Sequence, residues 1–246
     1  MDQIDKNREF LKAKDWIKWE ELERDQEKGV TMPPVQKNYP EDGKLIDLLP
    51  YEDLSIGDIS LKEVIKKRRS RRKFTDEYLD QEELSFLLWA TQGMKDNEHL
   101  RTVPSAGARH PFETYLYINR VKGIEPGIYR YLPKEHQLLF KYSEDNLDDK
   151  VKEACKNQKF AKESAVVFIW TVIPYRTEWR YDILSHKVIA LDAGHLCQNL
   201  YLASESIGAG TCAIGAYHQE KMDDLIGVDG EDEYTIYVSP VGKIEE

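Results

Sequence analysis

Residues 165–173 read AVVFIWTVI, an apolar run broken only by Thr171. This run constrains the fold most. It lacks the alternation of a strand with one wet face, so it predicts a central strand covered on both sides. Pro174 ends it, far short of the ~20 apolar residues that cross a bilayer. The N-terminus has no apolar signal segment either, and the chain is expected to be soluble and cytoplasmic.

Helices and strands are mixed around that strand. Ser60 and Glu63 have capping-box spacing ahead of Val64 and Ile65, predicting a short helix that runs into Arg68. Asp80 starts a second helix, with Leu84, Leu87, Leu88 and Ala90 apolar and Gly93 at its end. Residues 112–118 alternate as a strand, and residues 127–131 and 136–140 form a hairpin. Residues 186–207 are a long helix with Ile189, Ala193, Leu196, Leu200 and Ala203 at helical spacing and Gly208 at its cap. Residues 234–238 are a last strand. Without a regular βαβ rhythm, the fold class is α+β rather than a doubly wound parallel sheet.

With 246 residues, the chain holds one large domain or a domain with an extension. The first thirty residues predict an amphipathic helix carrying Phe10, Leu11, Trp16, Ile17 and Trp19, stopped at Pro33 and Pro34. The proline-rich stretch after it reads as an extended arm laid on a surface through Leu45, Ile46, Leu48 and Leu49. Residues 1–55 are therefore taken as helix and arm, and residues 56–246 as the main domain.

A net charge of −10 suits no nucleic-acid partner unless a basic patch is concentrated. Cys155, Cys197 and Cys212 form no C-x-x-C pair, which excludes a zinc ribbon and fits a reducing compartment. His99, His110, His136, His186, His195 and His218 show no metal-ligand spacing, so no metal is expected. His195 reads as a core or interface histidine, with Asp192 one turn earlier as its partner.

Three motifs remain. Residues 66–73, KKRRSRRK, have seven basic side chains in eight. The run is compatible with a solvated charged face, with a nucleic-acid or nuclear-import signal, or with a phosphate clamp. In an extended segment Arg68, Ser70 and Arg72 project to one side, which suits a phosphate monoester. Residues 104–111, PSAGARHP, place small side chains between two prolines just before a strand, where a flat ligand can approach the backbone. Residues 208–213, GAGTCA, match G-x-G-x-x-A, but they follow a helix instead of linking strand to helix. They read as a cap followed by a short strand to Gly215, not as a dinucleotide site.

Residues 68–74 resemble the R-x-S-x-[RK]-x-F opening of the nitroreductase-like flavoproteins. Residues 87–93, 104–111 and 191–200 resemble, in the same order, its SagB-type dehydrogenase branch. The resemblance covers residue 56 onward. It implies a mostly antiparallel sheet flanked by helices, a long helix at the interface of a homodimer, and FMN at two composite sites. It implies Arg68, Arg69 and Ser70 at the ribityl phosphate, Arg72 beside the reduced flavin's negative charge, and the Ile214 and Gly215 backbone facing flavin N5. Pro104, Ser105, Ala106, Gly107 and Ala108 come from the partner chain, with Ala108 where many relatives carry Asn. The family's C-terminal phosphate contact falls on Lys243. The Lys-Tyr pair of azoline dehydrogenases falls on Arg180 and Tyr181, and arginine cannot act as a base where lysine can.

The leading expectation is an FMN oxidoreductase in which NADH or NADPH is the electron donor and a small organic molecule the acceptor. The alternative is oxidation of thiazoline or oxazoline rings in a modified peptide. A flavin-binding or basic-patch protein without turnover is the non-enzymatic reading.

Overall fold

The computed structural model describes residues 2–95 and 100–245; His99 lies outside the described residues. The apolar run forms β5 (Val166–Val172), buried at every position. It pairs with β2 (Phe112–Ile118) on one side and β7 (Tyr234–Lys243) on the other. The rest of the sheet comprises β1 (Leu45–Asp47), β3 (Gly127–Leu132), β4 (Gln137–Tyr142) and β6 (Ala209–Thr211), in the order β1-β4-β3-β2-β5-β7-β6. Every pairing between these strands is antiparallel.

Both faces of β5 are covered, which is why its sequence does not alternate. Phe168 and Trp170 join a cluster with α3 (Gln81–Gln92) and α7 (Ser185–Ser206), including Leu84, Leu87, Leu196 and Leu200. Val167 and Ile169 face α4 (Leu147–Ala154) and α8 (Gln219–Ile226) through Val151, Met222 and Ile226. The central helix α7 buries the five apolar positions expected of it, and Gly208 follows it at φ +66°. Asp80 and Glu83 close a full capping box on α3. Among the described residues no helix is long and apolar enough to cross a membrane.

The amino-terminal segment departs from expectation. It forms α1 (Gln3–Leu11) and then a separate 3-10 stretch (Lys14–Glu21), and neither buries a side chain. A lone helix needs an apolar face packed on a core to persist; Phe10, Leu11 and Ile17 stay exposed instead. The arm is also more integrated than a surface strap: it supplies β1, whose Leu45, Ile46 and Asp47 pair with β4. The strand after Gly208 stops at Thr211, short of Gly215, and Ile214 makes a single bridge to Val238.

Candidate active site

Two groups of sequence-selected residues assemble at different levels of α7. The first is basic. The helix α2 (Leu61–Lys67) ends on Arg68, and the chain then runs extended beside β6, where the Arg71 amide donates to the Thr211 carbonyl at 2.9 Å. This pairing makes the side chains alternate. Ser70 Oγ is 3.0 Å from the Tyr201 hydroxyl, the Arg68 guanidinium lies 5.3 Å from the centre of the Tyr201 ring, and Arg72 faces the Phe160 ring at 6.0 Å. Arg69 and Arg71 turn the other way, into a cleft of about 720 Å³ shared with Lys66, Lys67 and Lys243.

Arg71 pairs with Glu205 at 3.5 Å. Lys243 donates to the Glu83 carboxylate and to the Ile207 carbonyl at 3.1 Å. Among the described residues Arg68, Arg69 and Arg72 form no ion pair. The Tyr201 hydroxyl also accepts the Ala213 amide at 2.9 Å, which joins the basic segment to residues 213–215. Ile214 donates its amide to Val238 at 2.7 Å. Gly215 is exposed, and nothing lies within 4 Å of where its Cβ would stand.

The second group surrounds the loop between the two prolines. Gly107, Ala108 and His110 all have positive φ, at 58°, 53° and 45°. Such a backbone persists only when its surroundings over-determine it. Here the buried Asp192 carboxylate accepts the Ala106 amide at 2.9 Å, and Ser105 Oγ accepts the His110 amide at 2.9 Å. Burial raises the Asp192 pKa, opposed by hydrogen bonds from Ser105 and Ala106. His195 is indeed beside it, Nδ1 to Oδ1 3.7 Å. The loop-holding role of Asp192 escaped the sequence, because its partners lie 86 residues away.

The helix α6 (Tyr175–Tyr181) brings Arg180 and Tyr181 onto this loop. A Cβ on Gly107 would fall 2.6 Å from Arg180 Cδ and 2.8 Å from the Tyr181 hydroxyl. Arg109 donates to the Gly107 carbonyl at 2.9 Å, with its guanidinium 5.1 Å from the Trp179 ring centre. Burial lowers the Arg109 pKa, and the nearby Arg180 charge adds to the effect. Arg180 donates to Gln26 Oε1 at 3.2 Å. The two groups are thus anchored to α7 at Tyr201 and at Asp192, about 14 Å apart along the axis at ~1.5 Å per residue.

Comparison with known proteins agrees with this architecture. Residues 65–243 match the nitroreductase family model. A Methanocaldococcus jannaschii protein named as a nitroreductase is 32% identical over 197 residues, 80% of this chain and 98% of its own. The trifolitoxin-processing protein TfxB of Rhizobium leguminosarum bv. trifolii is 33% identical over 126 residues, 45% of this chain and 31% of its own. Among solved structures, one named for the nitroreductases from Anabaena variabilis superposes with a TM-score of 0.69 at 25% identity, covering 82% of this chain and 42% of that one. A chain of the E. coli microcin synthetase McbBCD complex shares the fold, with a TM-score of 0.63 at 16% identity, over 100% of this chain and 98% of that one. A family match that includes the basic segment, the loop, α6 and α7, together with a relative aligned over nearly its whole length, means that the chain belongs to the nitroreductase family and is an oxidoreductase.

Proposed function

We propose that the protein is an FMN-dependent oxidoreductase that takes electrons from NADH or NADPH and delivers them to a small organic acceptor, working as a cytoplasmic homodimer. The observation that carries this reading is Arg68 and Arg72, which form no ion pair among the described residues, on the side of Ser70, which Tyr201 joins to the segment with the open backbone at Gly215. Guanidinium and hydroxyl donors fit a phosphate monoester. The empty space over Gly215 fits a flat ring against the main chain. Bound FMN would supply two-electron chemistry. Arg68 and Ser70 would hold its phosphate, Arg69, which faces the other cleft, would act on it only through its field, and Arg72 would favour its negatively charged reduced form. Lys243 is already paired with Glu83 and would act on the phosphate through its field.

The spacing of the two groups supports the homodimer. They are separated along α7 in one chain, so a single ligand would take the basic segment from one protomer and residues 104–108 from the other. The outward face of α7 carries Ala190, Leu191, Gly194, His195 and Gln198, all exposed and none acidic or lysine. Beside it an apolar groove of about 490 Å³ is lined by Leu61, Val64, Phe86, Trp89 and Leu202. Such surface suits an obligate interface of ~2,000–5,000 Å².

The test begins with the purified protein. Heat-released flavin should run as FMN, in stoichiometric amount, from a dimer by light scattering, and NADH or NADPH should bleach it in stopped flow. FAD, or no flavin after reconstitution, refutes the proposal. A second reading, oxidation of azoline rings in a modified peptide, is favoured by the similarity to the trifolitoxin-processing protein. Oxidation of thiazoline peptides that Tyr181→Phe abolishes would establish it. Arg180 argues against it, since a residue that stays protonated cannot take the ring proton.

A further inference from the structure

We propose that the amino-terminal arm builds part of the acceptor site, and that the site takes a planar, anionic acceptor: an aromatic or conjugated carboxylate held by Arg180 and stacked against Trp16, the outer ring of the Trp16–Trp19 pair. This rests on the reaction proposed above and on the resemblance that sets Arg180 and Tyr181 where azoline dehydrogenases carry their Lys-Tyr pair.

Three observations converge. The first is uncompensated charge. Arg109 and Arg180 both pack on Gly107, the Arg180 charge acts on Arg109, and among the described residues neither has a carboxylate partner. The Arg180 Nε is buried with no hydrogen-bond partner, and Arg109 is only 8% exposed. In a chain of net charge −10, two adjacent guanidiniums without a carboxylate partner among the described residues have the charge and donors to hold an anion. Carboxylates of the surrounding segments have other partners: Asp25 accepts the Tyr175 hydroxyl, Glu178 faces His186, Glu27 pairs with Arg24, Asp182 accepts the Ile183 amide and Asp192 the Ala106 amide.

The second is an aromatic wall. The Trp16 and Trp19 rings stack at 5.6 Å, and they meet the Tyr181 ring at 6.0 and 5.7 Å. The Arg24 guanidinium backs Trp19 at 3.6 Å. Trp16 is 37% exposed, so a face remains for a flat ligand. Planar ligands prefer such offset or edge contacts with indole and phenol rings.

The third is fastening. The Gln26 amide donates to the Trp179 carbonyl at 3.0 Å, Trp179 Nε1 donates to the Val30 carbonyl at 2.8 Å, and the Gln26 side chain accepts from Arg180. These bonds tie the arm to the very helix that carries Arg180 and Tyr181. The arm precedes residues 65–243, so the two tryptophans lie outside the span that the family model matches.

The test compares 4-nitrobenzoate with its neutral near-isostere 4-nitrobenzamide as acceptors for the flavin-loaded protein, with NADPH or NADH as donor. It also follows tryptophan fluorescence during titration with benzoate. The KM for the carboxylate should be at least ~10-fold lower than for the amide, and Arg180→Gln should erase that preference. Benzoate should quench saturably, and Trp16→Phe should remove most of the quench. Residues 3–21 bury no side chain, so this substitution leaves the domain folded. Equal KM values, a preference that survives Arg180→Gln, or no saturable quench overturns the inference. If neither acceptor is reduced but benzoate still quenches through Arg180 and Trp16, the proposed reaction fails while the anion site stands.

Discussion

Glu113 offers the sharpest test of how this fold is held around its site. Its side chain, on β2, is 2% exposed and accepts from Arg176 Nη2 at 2.6 Å and from the Lys37 amide at 2.8 Å. Arg101, also buried, acts on the same carboxylate, and it feels repulsion from Arg176; burial lowers its pKa to about 10. The single substitutions therefore differ. Arg176→Met leaves Glu113 with the Lys37 amide and the field of Arg101, so the loss should sit at the low end of the range for breaking a buried pair, about 3 kcal/mol. Glu113→Leu leaves two buried guanidiniums facing each other and an amide without its acceptor, and should cost about 5 kcal/mol. For a chain of this length each kcal/mol lowers Tm by ~2–4 °C. The expected falls are then about 6–12 °C and about 10–20 °C. The double variant should recover much of the loss, because replacing both charges by apolar groups removes the uncompensated one. Thermal unfolding followed by circular dichroism measures all four corners of the cycle. An Arg176→Met variant within ~2 °C of the parent, or a Glu113→Leu variant milder than it, would refute the reasoning. Arg176 also lies one turn ahead of Arg180 and reaches the His110 carbonyl at 3.5 Å, so Arg176→Met should loosen the acceptor corner as well.

Three further outcomes are expected. Gly107→Ala sets a Cβ against Arg180 and Tyr181 at a φ of 58°, and should cost about 1–3 kcal/mol and at least ~10-fold in turnover; wild-type Tm and rate would contradict the strained-loop account. His136 Nε2 donates to the Leu49 carbonyl at 2.9 Å, its Nδ1 lies 2.7 Å from the Tyr131 hydroxyl, and burial lowers its pKa below the ordinary 6.5, which favours the neutral ring. Its contribution is present above about pH 6.5 and fades as the pH falls through the lowered value, so the Tm drop between pH 7.5 and 5 should be smaller in His136→Asn; equal drops would exclude this role. Cys155 and Cys197 are pushed up to about 12 by burial, and Cys212 is buried too, so an aromatic disulfide reagent at pH 8 should label the native protein only as fast as it unfolds. Rapid labelling of one thiol without loss of structure would show that burial to be wrong.

Local chemistry was legible in the sequence wherever neighbours along the chain decide the outcome. The helix starts at Ser60 and Asp80, the glycine after α7 and the doubly buried β5 are set by spacing and by hydrophobic pattern, and they stand where the sequence placed them. The basic segment was legible for the same reason: alternation in an extended chain separates Arg68 and Ser70 from Arg69 and Arg71. Only the tertiary structure decides the rest. Residues 45–47 have too little β signal to announce an edge strand, and β4 supplies the pattern they complete. The amino-terminal residues have helical amphipathicity but no core to pack on, so the helix breaks and Trp16 and Trp19 turn to Tyr181 instead. Asp192 on Ala106, Glu113 on Arg176 and Gln26 on Arg180 join residues 63 to 154 positions apart. No periodicity encodes such pairs: a buried carboxylate or guanidinium takes whichever partner the packing of the sheet and α7 brings within reach, because leaving it without one costs several kcal/mol, on the order of 3–5.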